Sequence, residues 1–140
     1  NETDLPAEKE KKEIVAFLYE HLEQYGDEKS AIAKCLDYGL SIIDGFGGYV
    51  LVAREADQMV GAVIVNKTGM GGYIPDNILV YIATHRDHRG KGVGKRLMEE
   101  TLELAEGDVK LHVEHDNPAR FLYEKYGFTN KYREMRYSKK

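Results

Sequence analysis

The sequence contains no tryptophan, a single cysteine and only three prolines in 140 residues. One thiol, Cys35, excludes an intrachain disulfide framework and a zinc site built on cysteines. No apolar run approaches the roughly 18–20 residues needed to cross a bilayer. The opening stretch NETDLPAEKEKK is charged throughout and shows no hydrophobic leader. An excess of positive charge is also missing: 20 Lys+Arg stand against 24 Asp+Glu, a formal charge of −4. That balance argues against a general nucleic-acid binder. Repeats, low-complexity tracts and linkers are lacking as well, so residues 1–140 are read as one domain. What remains is enough apolar material, 42% of the residues, for one core. The expectation is a cytoplasmic protein without membrane or nucleic-acid partners.

The order of elements carries the fold. Ile14, Leu18, Leu22 and Tyr25 recur at helical spacing after Pro6, and Gly26 ends that helix. Asp27 is expected to cap a second helix, with Ile32, Leu36, Leu40 and Ile43 on one face and Gly45, Gly47 and Gly48 as its stop. Tyr49–Arg54 and Met59–Asn66 read as a hairpin, and Ile78–Thr84 as a central strand beyond a glycine-rich loop, Lys67–Asn77. A third helix places Val93, Leu97, Thr101 and Leu104 on one face. Val109, Leu111 and Val113 alternate as a strand, Asn117-Pro118 opens a fourth helix through Tyr126, and Gly127 stops it. Phe128–Tyr137 is expected to add one or two strands. Strands and helices mixed in this order, with crossovers, predict an α/β layer architecture.

The strongest local signal lies where the central strand meets the third helix, at Arg89-Gly90-Lys91-Gly92-Val93-Gly94. Glycines let the backbone approach a ligand closely, and a helix N-terminus presents free N–H groups with a partial positive charge. Such a turn suits a phosphate or pyrophosphate, and Lys95 adds charge beside it. Two common phosphate loops do not fit. A Walker-type loop needs Ser or Thr after its lysine, and Arg96 follows Lys95. A dinucleotide fingerprint needs its third glycine one residue later than Gly94.

The segment does match Arg/Gln-x-x-Gly-x-Gly/Ala, the signature of the GNAT (Gcn5-related N-acetyltransferase) superfamily. Downstream, Asn117-Pro118-Ala119-Arg120-Phe121-Leu122-Tyr123-Glu124-Lys125-Tyr126-Gly127-Phe128 resembles the family's second signature. Val60-Gly61-Ala62-Val63 in the hairpin is also family-like. The resemblance covers roughly residues 48–137. It implies a single-domain mixed sheet whose central parallel strands splay apart, flanked by about four helices. It implies a direct, acetyl-CoA-dependent transfer of an acetyl group to a primary amine through a tetrahedral intermediate. The cosubstrate's pantetheine arm would pair with Ile82, Ala83 and Thr84. Its pyrophosphate would sit on Arg89, Gly90, Lys91, Gly92, Val93, Gly94 and Lys95, and Asn117 would contact the arm. Tyr123 resembles the family's general acid, which protonates the departing thiolate. A core tyrosine and a helix cap are the plain readings of Tyr123 and Asn117. A non-catalytic acyl-CoA-binding or regulatory module on the same fold is the alternative function.

An amine with a pKa near ~10.4 is mostly protonated at neutral pH, and making it neutral costs about 4–5 kcal/mol. A base is therefore required. His85, Tyr81 and ordered water all stay open for that role, and many relatives carry proline where His85-Arg86 stands. No metal site is expected: His112 and His115 point to opposite faces of a strand, and His85 and His88 have no third ligand in sequence. The acceptor is expected between the first two helices, the Lys67–Asn77 loop and the C-terminal strands, with Asp37, Asp44 and Asp76 as candidates for its charge. Residues 1–5 offer almost none of the first strand that relatives carry. That strand is trimmed, very short or absent, and a sheet edge open to a partner would allow a homodimer without requiring one.

Overall fold

The computed structural model describes residues 6–139; the expectation about a first strand falls on residues 1–5 and lies outside them. Four strands form one sheet in the order β1 (Gly48–Glu55), β2 (Gln58–Lys67), β3 (Asn77–Thr84) and β4 (Val109–Leu111). The first three are antiparallel neighbours, and β4 runs parallel to β3 after a crossover through a helix. Helices α1 (Glu8–Leu22) and α2 (Lys29–Gly39) cover one face. Helices α3 (Val93–Leu104) and α4 (Arg120–Lys125) cover the other. The predicted α/β layers and the flanking helices are thus present.

The two faces hold two cores. Ile14, Phe17 and Leu18 of α1 and Ile32 and Leu36 of α2 pack on Met59, Ala62 and Ile64 of β2. Val63 and Val65 point the other way, against Leu97 and Met98 of α3, Leu79 and Tyr123. Strand β2 is buried on both faces and therefore reads as an unbroken apolar run. At Gly61 an added Cβ would lie 2.7 Å from Leu97 Cδ1 and 2.9 Å from Val93 Cγ1. Glycine is what lets α3 sit that close to the sheet.

Several boundaries differ from those expected. Helix α2 ends at Gly39, well before the glycine cluster, because Ser41 takes a left-handed turn (φ 61°). Ile42 N–H then bonds Asp37 O at 2.8 Å and Ser41 N–H bonds Tyr38 O at 3.1 Å, the paired bonds of a Schellman stop. Ile43 consequently leaves the core face, and Leu104, in the last turn of α3, is exposed. Helix α4 begins at Arg120 and is stopped as expected at Gly127 (φ 94°) by the same pair of bonds, from Phe128 and Gly127. Asp27 does not cap α2; Glu28 precedes the helix without a side-chain bond.

The C-terminal strands are not formed. Residues 128–139 have no regular secondary structure, and Tyr132, Met135 and Tyr137 are exposed. The physical reason is the shortness of β4: it stops at Leu111 with Val113 outside it, so little edge remains to template another strand.

Candidate active site

The site starts from an irregularity in β3. Its ladder with β2 pairs Ile64 with Tyr81 and Val65 with Leu79, which leaves Val80 as an extra residue, a β-bulge. Leu79 faces the α3 side, while Val80 and Tyr81 both face α1 and α2; from there Ile82 and Ala83 resume the alternation. Pairing with β4 covers only Asn77–Leu79 against Val109–Leu111 and stops where the bulge begins. Beyond Leu79 the two parallel strands part.

The parted edge of β3 is free to pair. His85 N–H bonds Val60 O on β2 at 2.8 Å, and Ala83 shares its phase in the ladder. By the alternation of antiparallel bonding, the N–H and C=O groups of Ile82 and Thr84 point across the gap instead. Of the three residues expected to hold an extended ligand arm, two therefore turn their backbone towards it.

At the C-terminal end of β3 the chain makes one 3-10 turn, Arg86–His88, and enters the glycine turn. Gly90 and Gly92 have φ values of 80° and 87°, and an added Cβ at either would meet only open space. Gly92 caps α3, so the N–H groups of Val93, Gly94 and Lys95 begin that helix without intrahelical acceptors. Among the described residues no backbone acceptor serves any N–H from Gly90 to Lys95. Thr84, His88, Arg89, Gly90, Gly92, Val93, Gly94 and Lys95 line a cleft of about 320 Å³ here. Gly94 sits between Thr84 and Leu122, its would-be Cβ 3.3 Å from Thr84 Oγ1 and 3.7 Å from Leu122 Cδ2. The turn is thereby wedged against β3 and α4 together.

Arg89 behaves differently from its neighbours. Its guanidinium turns towards α1, donating to His21 O at 2.9 Å and lying 3.9 Å from the Glu23 carboxylate. Arg89 thus braces the turn, and Lys95 is the lysine that lines the cleft.

Tyr123 lies on the buried side of α4, 8% exposed, with its ring 6.1 Å from that of Phe128. Burial pushes its phenol up to about 12. Its hydroxyl finds no protein partner among the described residues, yet it is not one of the fully buried unpaired polar atoms, so the oxygen reaches the surface. Asn117 uses its side-chain oxygen to close a local turn before α4, accepting Ala119 N–H at 2.9 Å, and its amide N–H groups have no partner among the described residues.

On the opposite side, Tyr19, Glu20, Glu23, Gly26, Asp27 and Glu28 line an open groove of about 550 Å³ between α1 and α2. Tyr81 reaches it from the bulge, its hydroxyl donating to Asp27 Oδ2 at 2.5 Å. Burial and this carboxylate push the Tyr81 phenol far upward, so it holds its proton at neutral pH and is unsuited to be a base. Tyr25 OH donates to Asp116 O, in the loop beyond β4, at 3.3 Å. Two of the three carboxylates singled out from sequence are engaged elsewhere: Asp37 pairs with Lys11 at 3.0 Å, and Asp76 accepts Asp108 N–H at 3.1 Å. The Lys67–Asn77 loop adjoins the start of β3, about 23 Å of strand away from Thr84.

Sequence reading missed His21, Glu23 and Asp27. His21 interrupts the apolar stripe of Ile14 and Leu18 at helical spacing, and a histidine in that stripe was the available signal. His21 stacks on His85, centroids 4.2 Å apart, and His85 meets His88 edge-on at 5.3 Å. No group of three or more such side chains among the described residues could hold a metal ion. No helix there is long and apolar enough to cross a membrane.

Parted parallel strands with a glycine turn at the end of one are the arrangement that the sequence resemblance implied. The family model for the acetyltransferase (GNAT) domain matches residues 46–130, more than half of the chain, which therefore belongs to that family. No curated protein matches the sequence. Among solved structures, a transcriptional regulator from Bacillus halodurans C-125 is similar, with 20% identity, 95% of each chain covered and a TM-score of 0.69. An aminoglycoside antibiotic 6'-N-acetyltransferase from Acinetobacter haemolyticus shares 15% identity over 96% of this chain and 95% of that one, TM-score 0.64. A ribosomal-protein-alanine N-acetyltransferase from Brucella melitensis biovar Abortus 2308 shares 22% over 94% of each chain, TM-score 0.63. At these identities the likeness is one of fold.

Proposed function

We propose that the protein is an acetyl-CoA-dependent N-acetyltransferase that moves the acetyl group directly to a primary amine. The observation that carries this reading is the parting of β3 from β4 at the Val80 bulge, with an unpartnered glycine turn at the end of the same strand. The free N–H groups from Gly90 to Lys95, with Lys91 and Lys95 beside them, suit a pyrophosphate. The outward backbone of Ile82 and Thr84 suits the amide-rich arm as an added strand. Asn117 offers that arm its free amide, and a backbone N–H at the bulge would face the oxyanion of a tetrahedral intermediate.

Tyr123 is the proton donor to the departing thiolate in this reading, since its phenol stays protonated across the physiological range. With Tyr81 held by Asp27, the base is His85 or ordered water. His85 Nδ1 already accepts Asp87 N–H at 3.1 Å, which favours water. The acceptor enters from the acidic groove, where carboxylates favour an ammonium over a neutral or anionic group.

The burial of Tyr123 among apolar side chains also supports the second reading, a module that binds acyl-CoA without turning it over. Calorimetric titration with acetyl-CoA, ATP serving as control, tests the shared part: saturable one-to-one binding of acetyl-CoA alone is expected. Thiol release on addition of an amine panel then separates the two. Folded protein that fails to bind acetyl-CoA overturns both.

A further inference from the structure

His88 lines the cleft, and His21 is linked to it through the Arg86–Arg89 segment. His21 belongs to the last turn of α1 and is 5% exposed, enclosed by Phe17 (ring centroids 4.6 Å apart) and His85. Its Nδ1 accepts the backbone N–H of Arg86 at 3.3 Å, and its main-chain oxygen accepts the Arg89 guanidinium at 2.9 Å. Arg86 and Arg89 bracket the short turn that leads into Gly90. Within that turn His88 N–H bonds His85 O at 2.8 Å, so the two anchors hold the whole segment.

An Nδ1 that accepts an N–H cannot carry a proton, which fixes the neutral ring with its hydrogen on Nε2. The surroundings enforce that form. Burial, His85, Arg86 and Arg89 all lower the pKa of His21 below its usual 6.5, and only Glu20, 4.0 Å from Nε2, works against them. Glu23 lies 3.9 Å from both arginines, Glu55 lies 3.5 Å from His88 Nδ1, and uncharged Gln58 faces His85 Nε2 at 3.4 Å. A proton on Nδ1 would set donor against donor at Arg86 and add charge beside two guanidinium groups and a stacked imidazole.

We propose that His21 is the positioning residue of the glycine turn: its unprotonated Nδ1 and its main-chain oxygen hold the Arg86–Arg89 segment in place, and proton uptake at Nδ1 releases the turn and weakens acyl-CoA binding. The binding part rests on the acetyl-CoA reading above; the positioning part does not. Because the folded state depresses this pKa, the unfolded chain binds the proton more readily. The contribution of His21 to stability is therefore complete above about pH 6.5 and declines as the pH falls below it.

The test compares the wild type, His21→Asn and His21→Phe at pH 8 and pH 5.5, reading acetyl-CoA affinity and the hydrogen-exchange protection of amides 86–88. Asparagine keeps an acceptor, Oδ1, where Nδ1 stood but does not titrate. Titration of the cosubstrate's own phosphates is common to all three proteins and cancels in the comparison. In the wild type, affinity and protection are expected to fall about ten-fold more between the two pH values than in His21→Asn. His21→Asn should match the wild type at pH 8. His21→Phe should be weak and poorly protected at both. A His21→Asn protein as pH-dependent as the wild type, or a folded His21→Phe protein with a protected turn, overturns the proposal. If His21→Phe does not fold, the Asn variant decides by itself. Should the wild type bind no acetyl-CoA at any pH, the proposed activity falls and the exchange protection alone decides the role of His21.

Discussion

The hydroxyl of Tyr81 donates to Asp27 Oδ2 at 2.5 Å, joining β3 at its bulge to the loop between α1 and α2 across 54 residues of sequence. The bulge makes this contact. Had Val80 taken a regular place in the ladder, Tyr81 would share the face of Leu79 and point into the α3 core. One inserted residue thus turns a phenol towards the acidic groove and parts the strand from β4 at the same place.

Tyr81→Phe should leave Asp27 without its buried donor. A hydrogen bond to a charged group is worth about 1.5–3 kcal/mol, and the exposure of Asp27 brings the expected loss to about 1 kcal/mol in urea unfolding. In the acetyltransferase reading KM for a cationic amine rises while acetyl-CoA affinity stays unchanged. Equal losses of both would remove Asp27 from the acceptor's side.

Gly61→Val is expected to act on the other face. Its Cβ would come within 2.7 Å of Leu97 Cδ1 and 2.9 Å of Val93 Cγ1, both well-packed side chains at the start of α3. Overpacking of this kind costs about 1–3 kcal/mol. Because α3 carries the glycine turn, acetyl-CoA affinity should fall together with the denaturation midpoint. A variant that loses neither would show that α3 has room to shift without disturbing the turn.

What the sequence made legible was local. The glycine turn, the apolar run of β3 and the Gly127 stop declare themselves within a few residues, because backbone conformation and helix termini depend on near neighbours. Features that depend on a distant partner did not. Residues 128–137 have the composition of a strand, but β4 ends at Leu111 and gives them no ladder. The Val80 bulge is invisible until β2 fixes the register, and serine at position 41 is not a residue that announces a left-handed helix stop. His21 meets Arg86 across 65 positions, and nothing in the α1 pattern beyond its place in the stripe points there.

Cys35 is expected to be chemically quiet. Burial pushes its thiol up to about 11, outweighing the hydrogen bond from Asn66 Nδ2 at 3.4 Å. At pH 8 about one thiol in a thousand would then be ionised, and the thiolate is the reactive form. Iodoacetamide should modify the folded protein roughly 100-fold more slowly than free cysteine, and activity should survive the reagent. Rapid modification accompanied by lost activity would place the thiol near the chemistry after all.

The role of Tyr123 is decided by Tyr123→Phe, because its two readings predict the same stability but different rates. Its hydroxyl has no protein partner among the described residues and reaches the surface, so removing it breaks no hydrogen bond within the protein. Stability should stay constant, whatever the function. If the phenol only fills the core beside Phe128, the rate stays constant too. If it protonates the departing thiolate, kcat should drop by about 10²-fold or more with acetyl-CoA affinity retained. The pH profile adds a second check. A phenol raised to about 12 remains an acid throughout the measurable alkaline range, so an alkaline fall in rate below about pH 10 must come from another group and should persist in Tyr123→Phe. A wild-type fall that the substitution abolishes would mean that the ionisation of Tyr123 lies far lower than its burial implies.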